Sequence, residues 1–322
     1  MAEYHWNGVG LTVPDDWEPV ILERDGLTLG SGSRPLCELK WRTVAGGFSF
    51  EKHLKRLAKG HKDAAVRAVD DDEPPASWRE AVESLGYSGL RVRSFVWQAG
   101  GHRGMGAALH GPGSGLAALV QFFMHDQGDE GAETLASTVL ASLRDHTVSR
   151  AEASDPACRR TVPFCMFGLR GRVPAAFVLD SFSFRPGHYS VRYWRPRNPG
   201  RSGGTAPGKG PGTRLTFERF APASVLLKGR ELAEWAAATL ADPPPAGLAV
   251  AGSAGAGSSG AVSWNGLAAT SPGRRLLRRE SHARGRVWTP PGTNHILAVT
   301  ATGADPVADA PFAAMVESYE LV

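Results

Sequence analysis

Cysteine is nearly absent: Cys37, Cys158 and Cys165 are the only three in 322 residues. An odd and sparse set excludes a disulfide scaffold, and the Cys158/Cys165 spacing fits no zinc signature. Long apolar runs are also missing. The strongest, Leu116 to Met124, falls far short of the roughly 18 residues a spanning helix needs. Residues 1–10 include Glu3 and offer neither a basic leader nor an apolar stretch, so no signal peptide is expected. The expectation is therefore a cytoplasmic protein with reduced thiols and no membrane span. Lysine is scarce too, 7 of the 36 basic residues, which makes arginine the carrier of almost all positive charge.

Glycine and proline are present in excess, 39 and 23 residues, which implies many turns. Hydrophobic residues at 42% and charged residues at 21% are those of a globular chain able to bury sizeable cores. The net charge of +4 is an average of unlike halves. Residues 1–150 hold 16 basic and 20 acidic residues, net −4, and residues 151–322 hold 20 and 12, net +8.

The two halves nevertheless share a pattern. Gly8-Val9-Gly10-Leu11-Thr12-Val13-Pro14-Asp15-Asp16-Trp17 has a counterpart in Gly168-Leu169-Arg170-Gly171-Arg172-Val173-Pro174-Ala175-Ala176-Phe177. Both read as a strand ending in Val-Pro, two spacers and an aromatic. Leu36 to Trp41 (LCELKW) faces Leu215 to Phe220 (LTFERF), and Pro74-Pro75 faces Pro243-Pro244-Pro245. Pro112-Gly113 before Leu116–Phe122 faces Pro291-Gly292 before His295–Ala301, each a turn feeding an apolar strand. Ala136, Val139, Leu140 and Leu143 face Phe312, Met315, Val316 and Tyr319, both at the spacing of one helix face. Five matches in the same order point to two tandem copies of one unit.

The expected fold class is α+β: tandem antiparallel-sheet domains with packed helices, one over 1–146 and one over 160–322. Each unit reads as three strands, a helix, two to four strands and a helix. The first helix is expected near 49–60 with Ser49 as N-cap, and its counterpart near 224–240, with Gly229 inside it. Gly/Pro-rich insertions near 197–212 and 247–260 read as loops in the second unit.

The strand GLTVPDDW, with a sheet and a terminal helix after LAALVQFF, resembles the Mog1/PsbP-like domains. Val13-Pro14-Asp15-Asp16-Trp17 carries the resemblance best; in Val173-Pro174-Ala175-Ala176-Phe177 the Trp is replaced and the acids are gone. The resemblance implies an α+β sandwich in each half and a role as a binding, assembly or chaperone-like adaptor. It brings no catalytic residues with it.

Several motifs suggest chemistry. Gly203 to Lys209 matches G-x-x-x-x-G-K, but Gly210 stands where a magnesium hydroxyl belongs and Pro211-Gly212 forbids the following helix, so no nucleotide site is expected. Ser49-Phe50-Glu51-Lys52 has serine-acylase spacing without the partner motifs, and a helix cap explains Ser49 better. His102, His110 and His125 flank two expected strands and are the weak candidates for metal ligands, without a close His pair. The run Arg274, Arg275, Arg278, Arg279, Arg284, Arg286 could hold an acidic protein or a nucleic acid, though only Trp288 offers base stacking. By repeat register it would match the strand around Arg91 and Arg93, and the acid run Asp70-Asp71-Asp72-Glu73 is a candidate partner for it. Trp78 and Trp264 read as loop residues and candidate interface anchors.

Together these features favour a non-enzymatic protein-binding adaptor without cofactor, acting through its sheet faces or an inter-domain cleft. An acidic protein partner is favoured over nucleic acid, and self-association through the opposite charges of the halves is a further expectation. The alternatives are a metal-dependent hydrolase using the histidines between the domains, and nucleic-acid binding through the basic second unit.

Overall fold

A computed structural model of the chain describes residues 1–60, 65–70, 73–99, 101–124, 130–153, 155, 158–197, 208, 210–246, 251–253, 260–267 and 281–322. The protein is mixed α+β, and its strand pairings are antiparallel. It divides into two compact units: Met1–Glu152 with Val162–Met166, and Ala153–Thr161 with Phe167–Val322.

Unit 1 opens with β1 (Ala2–Trp6) and β2 (Val9–Val13), a hairpin turned at Asn7-Gly8, where both residues have positive φ. Asn-Gly is the pair such a tight turn selects. Then come β3 (Glu18–Glu23), β4 (Gly26–Ser31) and β5 (Arg34–Thr43), helix α1 (Phe50–Gly60), β6 (Ala65–Ala68) and α2 (Ala76–Tyr87). Strands β7 (Arg91–Ala99), β8 (His102–Gly111) and β9 (Leu116–Met124), helix α3 (Glu130–Ala141) and β10 (Arg144–Asp145) complete it. Seven of these strands form one sheet in the order β3-β4-β5-β9-β8-β7-β6.

Strand alternation sends Cys37, Leu39 and Trp41 of β5 to one face, level with Phe122, Val120 and Ala118 of β9. That face is closed by α2 and α3, with Trp78 set edge-on against Phe122 at 5.9 Å. The expected terminal-helix face is present: Ala136, Val139 and Leu140 of α3 are buried, as is Leu143 just beyond it.

Helix α2 lies where Pro74-Pro75 suggests a loop. Pro75 is its N-cap, a position where the missing N–H costs nothing, and Trp78, Ala81 and Leu85 are its buried stripe. Trp78 is therefore a core residue, 1% exposed, with its Nε1 donating to Ser94 Oγ at 3.0 Å; it is not a surface anchor.

Unit 2 contains β12 (Leu169–Pro174), β13 (Val178–Arg185), β14 (His188–Pro196), β15 (Gly212–Phe220), α5 (Ala223–Leu227), α6 (Leu232–Thr239) and β16 (Ala251–Ser253). After them follow β17 (Ala261–Leu267), β18 (His282–Trp288), β19 (Ile296–Gly303), α7 (Asp309–Ser318) and β20 (Glu320–Leu321). In chain order, α4 (Arg150–Ala153) and β11 (Thr161–Met166) come between β10 and β12; β11 pairs with β1 through His5 and Cys165, and its residues Val162–Met166 belong to unit 1. The seven-stranded sheet of unit 2 has the order β13-β14-β15-β19-β18-β17-β16. Counted from its first strand, this is the order found in unit 1.

The expected helix over 224–240 is two helices. Lys228 and Gly229 both have positive φ, which stops α5 after one turn and starts α6 afresh. Trp235 of α6 meets Phe220 edge-on at 4.9 Å and closes one sheet face over Val262, Val287, Ile296 and Ala298. Helix α7 closes the other, with Tyr319 against Phe217 at 5.2 Å, and Phe312, Met315 and Val316 are buried as expected. The expected loop over 247–260 contains β16, which the Ala/Gly/Ser composition conceals because pairing with β17 supplies the order that side chains do not. Most of the 197–212 insertion lies outside the described residues.

The two Val-Pro motifs form the same turn. The amide of Trp17 donates to the Pro14 carbonyl at 3.1 Å and that of Phe177 to the Pro174 carbonyl at 2.9 Å; both aromatic rings are buried.

Trp264 is 4% exposed in β17 rather than in a loop. The reason is Gly285, its cross-strand partner on β18, whose missing side chain leaves room for the indole. Phe95 over Gly106 repeats this arrangement in unit 1. An aromatic laid on a facing glycine protects backbone that glycine would leave bare.

Candidate functional site

The end of the unit 1 sheet beside the Pro112-Gly113 turn carries a row of paired residues. Arg91 of β7 faces His110 of β8, His110 faces Ala117 of β9, and Ala117 faces Arg42 of β5. Side chains opposite one another in antiparallel strands share a face. Two guanidiniums and an imidazole are thus set on one surface, with the small Ala117 leaving space between. Arg42 and Arg91 start roughly 14 Å apart, three strand spacings of about 4.8 Å.

The segment between β5 and α1 folds over this row. Phe48 stacks flat on His110, ring centroids 4.5 Å apart and planes 2° from parallel, and packs His53 on its other contact at 4.5 Å and 32°. Ser49 does act at the helix start as the sequence suggests: its Oγ accepts from the Lys52 amide at 3.4 Å. Its carbonyl sits 3.0 Å from His53 Nδ1, while Arg42 lies 3.1 Å from His53 Nε2. Arginine can only donate, so Nε2 accepts, and Nδ1 carries the proton that goes to Ser49. One neutral tautomer satisfies both bonds.

Below the fold-over is a cleft of about 400 Å³ lined by Val44, Gly46, Gly47, Phe48, Arg91 and His110, among others. His110 is 9% exposed, and its Nδ1 is buried without a hydrogen-bond partner. Burial first, then the Arg91 guanidinium, with the neighbouring His53 ring acting in the same direction, hold its pKa below the ordinary histidine value. Among the described residues neither Arg42 nor Arg91 has a carboxylate within ion-pair distance. The cleft therefore presents positive charge that no described residue of this unit neutralises. A second cleft, of about 280 Å³, lies between Trp17, Phe122 and α3 and is mostly apolar.

The sequence candidates distribute as follows. His102 and His110 are the two ends of β8, roughly 26 Å apart at about 3.3 Å per residue, so they cannot share a metal ion. His125 lies outside the described residues. No group of three His, Cys, Asp or Glu suited to a metal occurs among the described residues. Arg274, Arg275, Arg278 and Arg279 lie outside them as well.

Arg284 and Arg286 are on β18, which neighbours β19 as β8 neighbours β9; the strand around Arg91 and Arg93 is instead matched in sheet position by β17. The register differs by one strand from the expected one, because β17 takes the sheet position of β7. Arg284 is occupied within unit 2: it pairs with Asp309, donates to the Val307 carbonyl at 3.2 Å and lies over the Phe312 ring at 4.6 Å. Arg286 lies 6.0 Å from the Trp288 ring centre. The acid run has partners in its own unit, Asp70 with Arg93 at 3.8 Å and Glu73 with Arg67 at 2.8 Å. Of the remaining site residues, Arg42 and Phe48 carry no signal in the sequence, and Arg91 reads only as an exposed strand position. No local spacing connects them; only strand register brings them together.

Among the described residues, no helix is long and apolar enough to cross a membrane. No family model matches the chain, and no curated protein matches it. Among solved structures, the apo structure of immunity protein TplEi of T6SS from Pseudomonas aeruginosa aligns with 99% of this chain and 96% of its own, at 8% identity and a TM-score of 0.33.

Proposed function

We propose that this chain is a non-enzymatic binding protein, built from two tandem copies of one α+β unit of the Mog1/PsbP-like kind, that recognises an acidic protein partner. The duplication is supported by the common strand order of the two seven-stranded sheets and by the matching Val-Pro turns. Both units kept the framework while their charges diverged.

The observation that carries the binding reading is the cleft of unit 1. Arg91 and Arg42 stand free of carboxylates among the described residues, beside a buried imidazole without a hydrogen-bond partner at Nδ1. Both guanidiniums are exposed, and each is open to pairing with an anion brought from outside. A surface carboxylate or other anionic group of a partner fits that role.

The test is affinity capture from native lysate with the full chain and with Arg42→Gln/Arg91→Gln. The expected result is an acidic protein recovered by the parent and lost with the variant. Equal recovery by both, or no recovery together with a purely monomeric profile, would overturn the proposal.

A further inference from the structure

The cleft holds more specific information than its charge. Arg91 offers a planar fork of donors that suits oxyanions with several acceptor oxygens. His110 meets the cleft with Nδ1 shut away from solvent, which leaves Nε2 as the ring nitrogen for a ligand. Gly46, with φ of 86°, and Gly47 precede helix α1, and Gly46, Gly47 and Phe50 all line the cleft. Helix α1 thus begins at its rim, where the positive end of the helix dipole favours negative charge.

We propose that this cleft is a site for a phosphate monoester, bound by Arg91 and His110, and that the acidic partner is recognised through such a phosphorylated group. The inference rests on the cleft being the partner-binding site of this chain. A phosphate monoester carries a charge of about −1.5 to −2 near neutral pH and three terminal acceptors. Arg91 supplies a permanent charge and a bidentate contact. Arg42, bonded to His53 beyond Phe48, adds a second charge from the far side of the ring stack. A carboxylate has less charge and fewer acceptors to occupy these donors.

His110 makes the binding proton-coupled. The groups facing it are Arg91 from β7, His53 from α1 across Phe48, and Arg42 from β5 beyond His53. From β9 it faces Ala117, and Asp145 approaches Gly111 on the other sheet face. Among the described residues nothing anionic on this face thus offsets burial and Arg91. A bound dianion does, and so draws a proton onto the imidazole. Protonated His110 then donates to the phosphate, and the proton is taken up from solvent.

The test is calorimetric titration of the full chain with inorganic phosphate and with O-phosphoserine. Acetate serves as the carboxylate control, and sulfate as a probe whose charge is constant with pH. Saturable phosphate and phosphoserine binding is expected, weakened at least about tenfold by Arg91→Gln and unchanged by Arg286→Gln. Sulfate should bind more tightly near pH 6 than near pH 8, and His110→Gln should remove that step. If His110→Gln fails to fold, the imidazole proton resonance of His110 in the parent protein decides: phosphate should raise its titration midpoint, and an unmoved midpoint overturns the proposal. Equal phosphate binding by parent and Arg91→Gln, or acetate binding as tight as phosphate, also overturns it. Partner capture that depends on Arg91 without phosphate binding refutes the phosphate site and leaves the adaptor reading standing. Phosphate binding without partner capture does the reverse.

Discussion

The indole of Trp264 rests on Gly285, its partner on the neighbouring strand, in the space a side chain would fill. A Cβ at Gly285 would meet the indole ring itself, inside a core that also contains Val262, Val287 and Trp235. Gly285→Ala should therefore destabilise unit 2 by about 1–3 kcal/mol, the usual range for overpacking. Gly285→Ala with Trp264→Leu should recover part of that loss. Urea unfolding followed by tryptophan fluorescence measures both.

Arg284 and Asp309 should differ in cost although they form one ion pair. Asp309 is 87% exposed, so the pair itself contributes little, and Asp309→Asn should cost less than about 1 kcal/mol. Arg284 also packs on Phe312 and donates to the Val307 carbonyl, both of which Arg284→Ala deletes. Arg284→Ala should therefore be the more damaging change. Arg284→Met, which keeps most of the stem, should fall between them. Thermal melts of the three variants rank them directly.

Glu218 is the most deeply buried carboxylate among the described residues, at 1% exposure. Its Oε1 lies 2.9 Å from His188 Nε2, and its Oε2 has no hydrogen-bond partner. Ser190, directly across on β14, and Thr300, diagonally placed on β19, have buried hydroxyls that also lack partners. An amide in place of the carboxylate removes a buried charge and gives these hydroxyls a donor. Glu218→Gln should be neutral within about 1 kcal/mol, whereas His188→Ala, which strands the charge, should cost more. The outcome that contradicts this is Glu218→Gln proving the worse of the two in chemical denaturation.

Two histidines make stability depend on pH in the same direction. Burial, with Arg91 and His53 at His110 and with Arg219 at His295, holds both below the ordinary value of 6.5. Below about pH 6.5 the unfolded chain takes up these protons before the native one does. Their contribution is thus fully present above about pH 6.5 and is lost as pH falls toward the depressed native values. Denaturant midpoints measured from about pH 7.5 down to pH 5 should decline through this window. His110→Gln should flatten the decline if it folds, and a flat profile in the parent would contradict the assignment.

Much of the architecture is legible in residue order, because it depends on local chemistry. Val13-Pro14 and Val173-Pro174 set the same turn since proline fixes φ and ends a strand. The helix face of Phe312, Met315, Val316 and Tyr319 follows from a 3.6-residue period that only one surface can bury. Trp78 and Trp264 show where that approach stops. Pro75 can open a helix as readily as a loop, and the floor under Trp264 is a glycine on another strand. The same holds for β16, whose small residues have no pattern of their own.

The sequence by itself determined the α+β class, the internal similarity of the halves and the opposite charges they carry, since composition and periodicity survive without contacts. The tertiary structure alone decided which charges matter. Strand pairing spent Arg284 on a helix, Arg93 on Asp70 and Arg67 on Glu73. The same register set Arg91, His110 and Arg42 in one row with Phe48 folded over them. These four residues span 69 positions of chain, and no short-range spacing encodes a contact made across four strands.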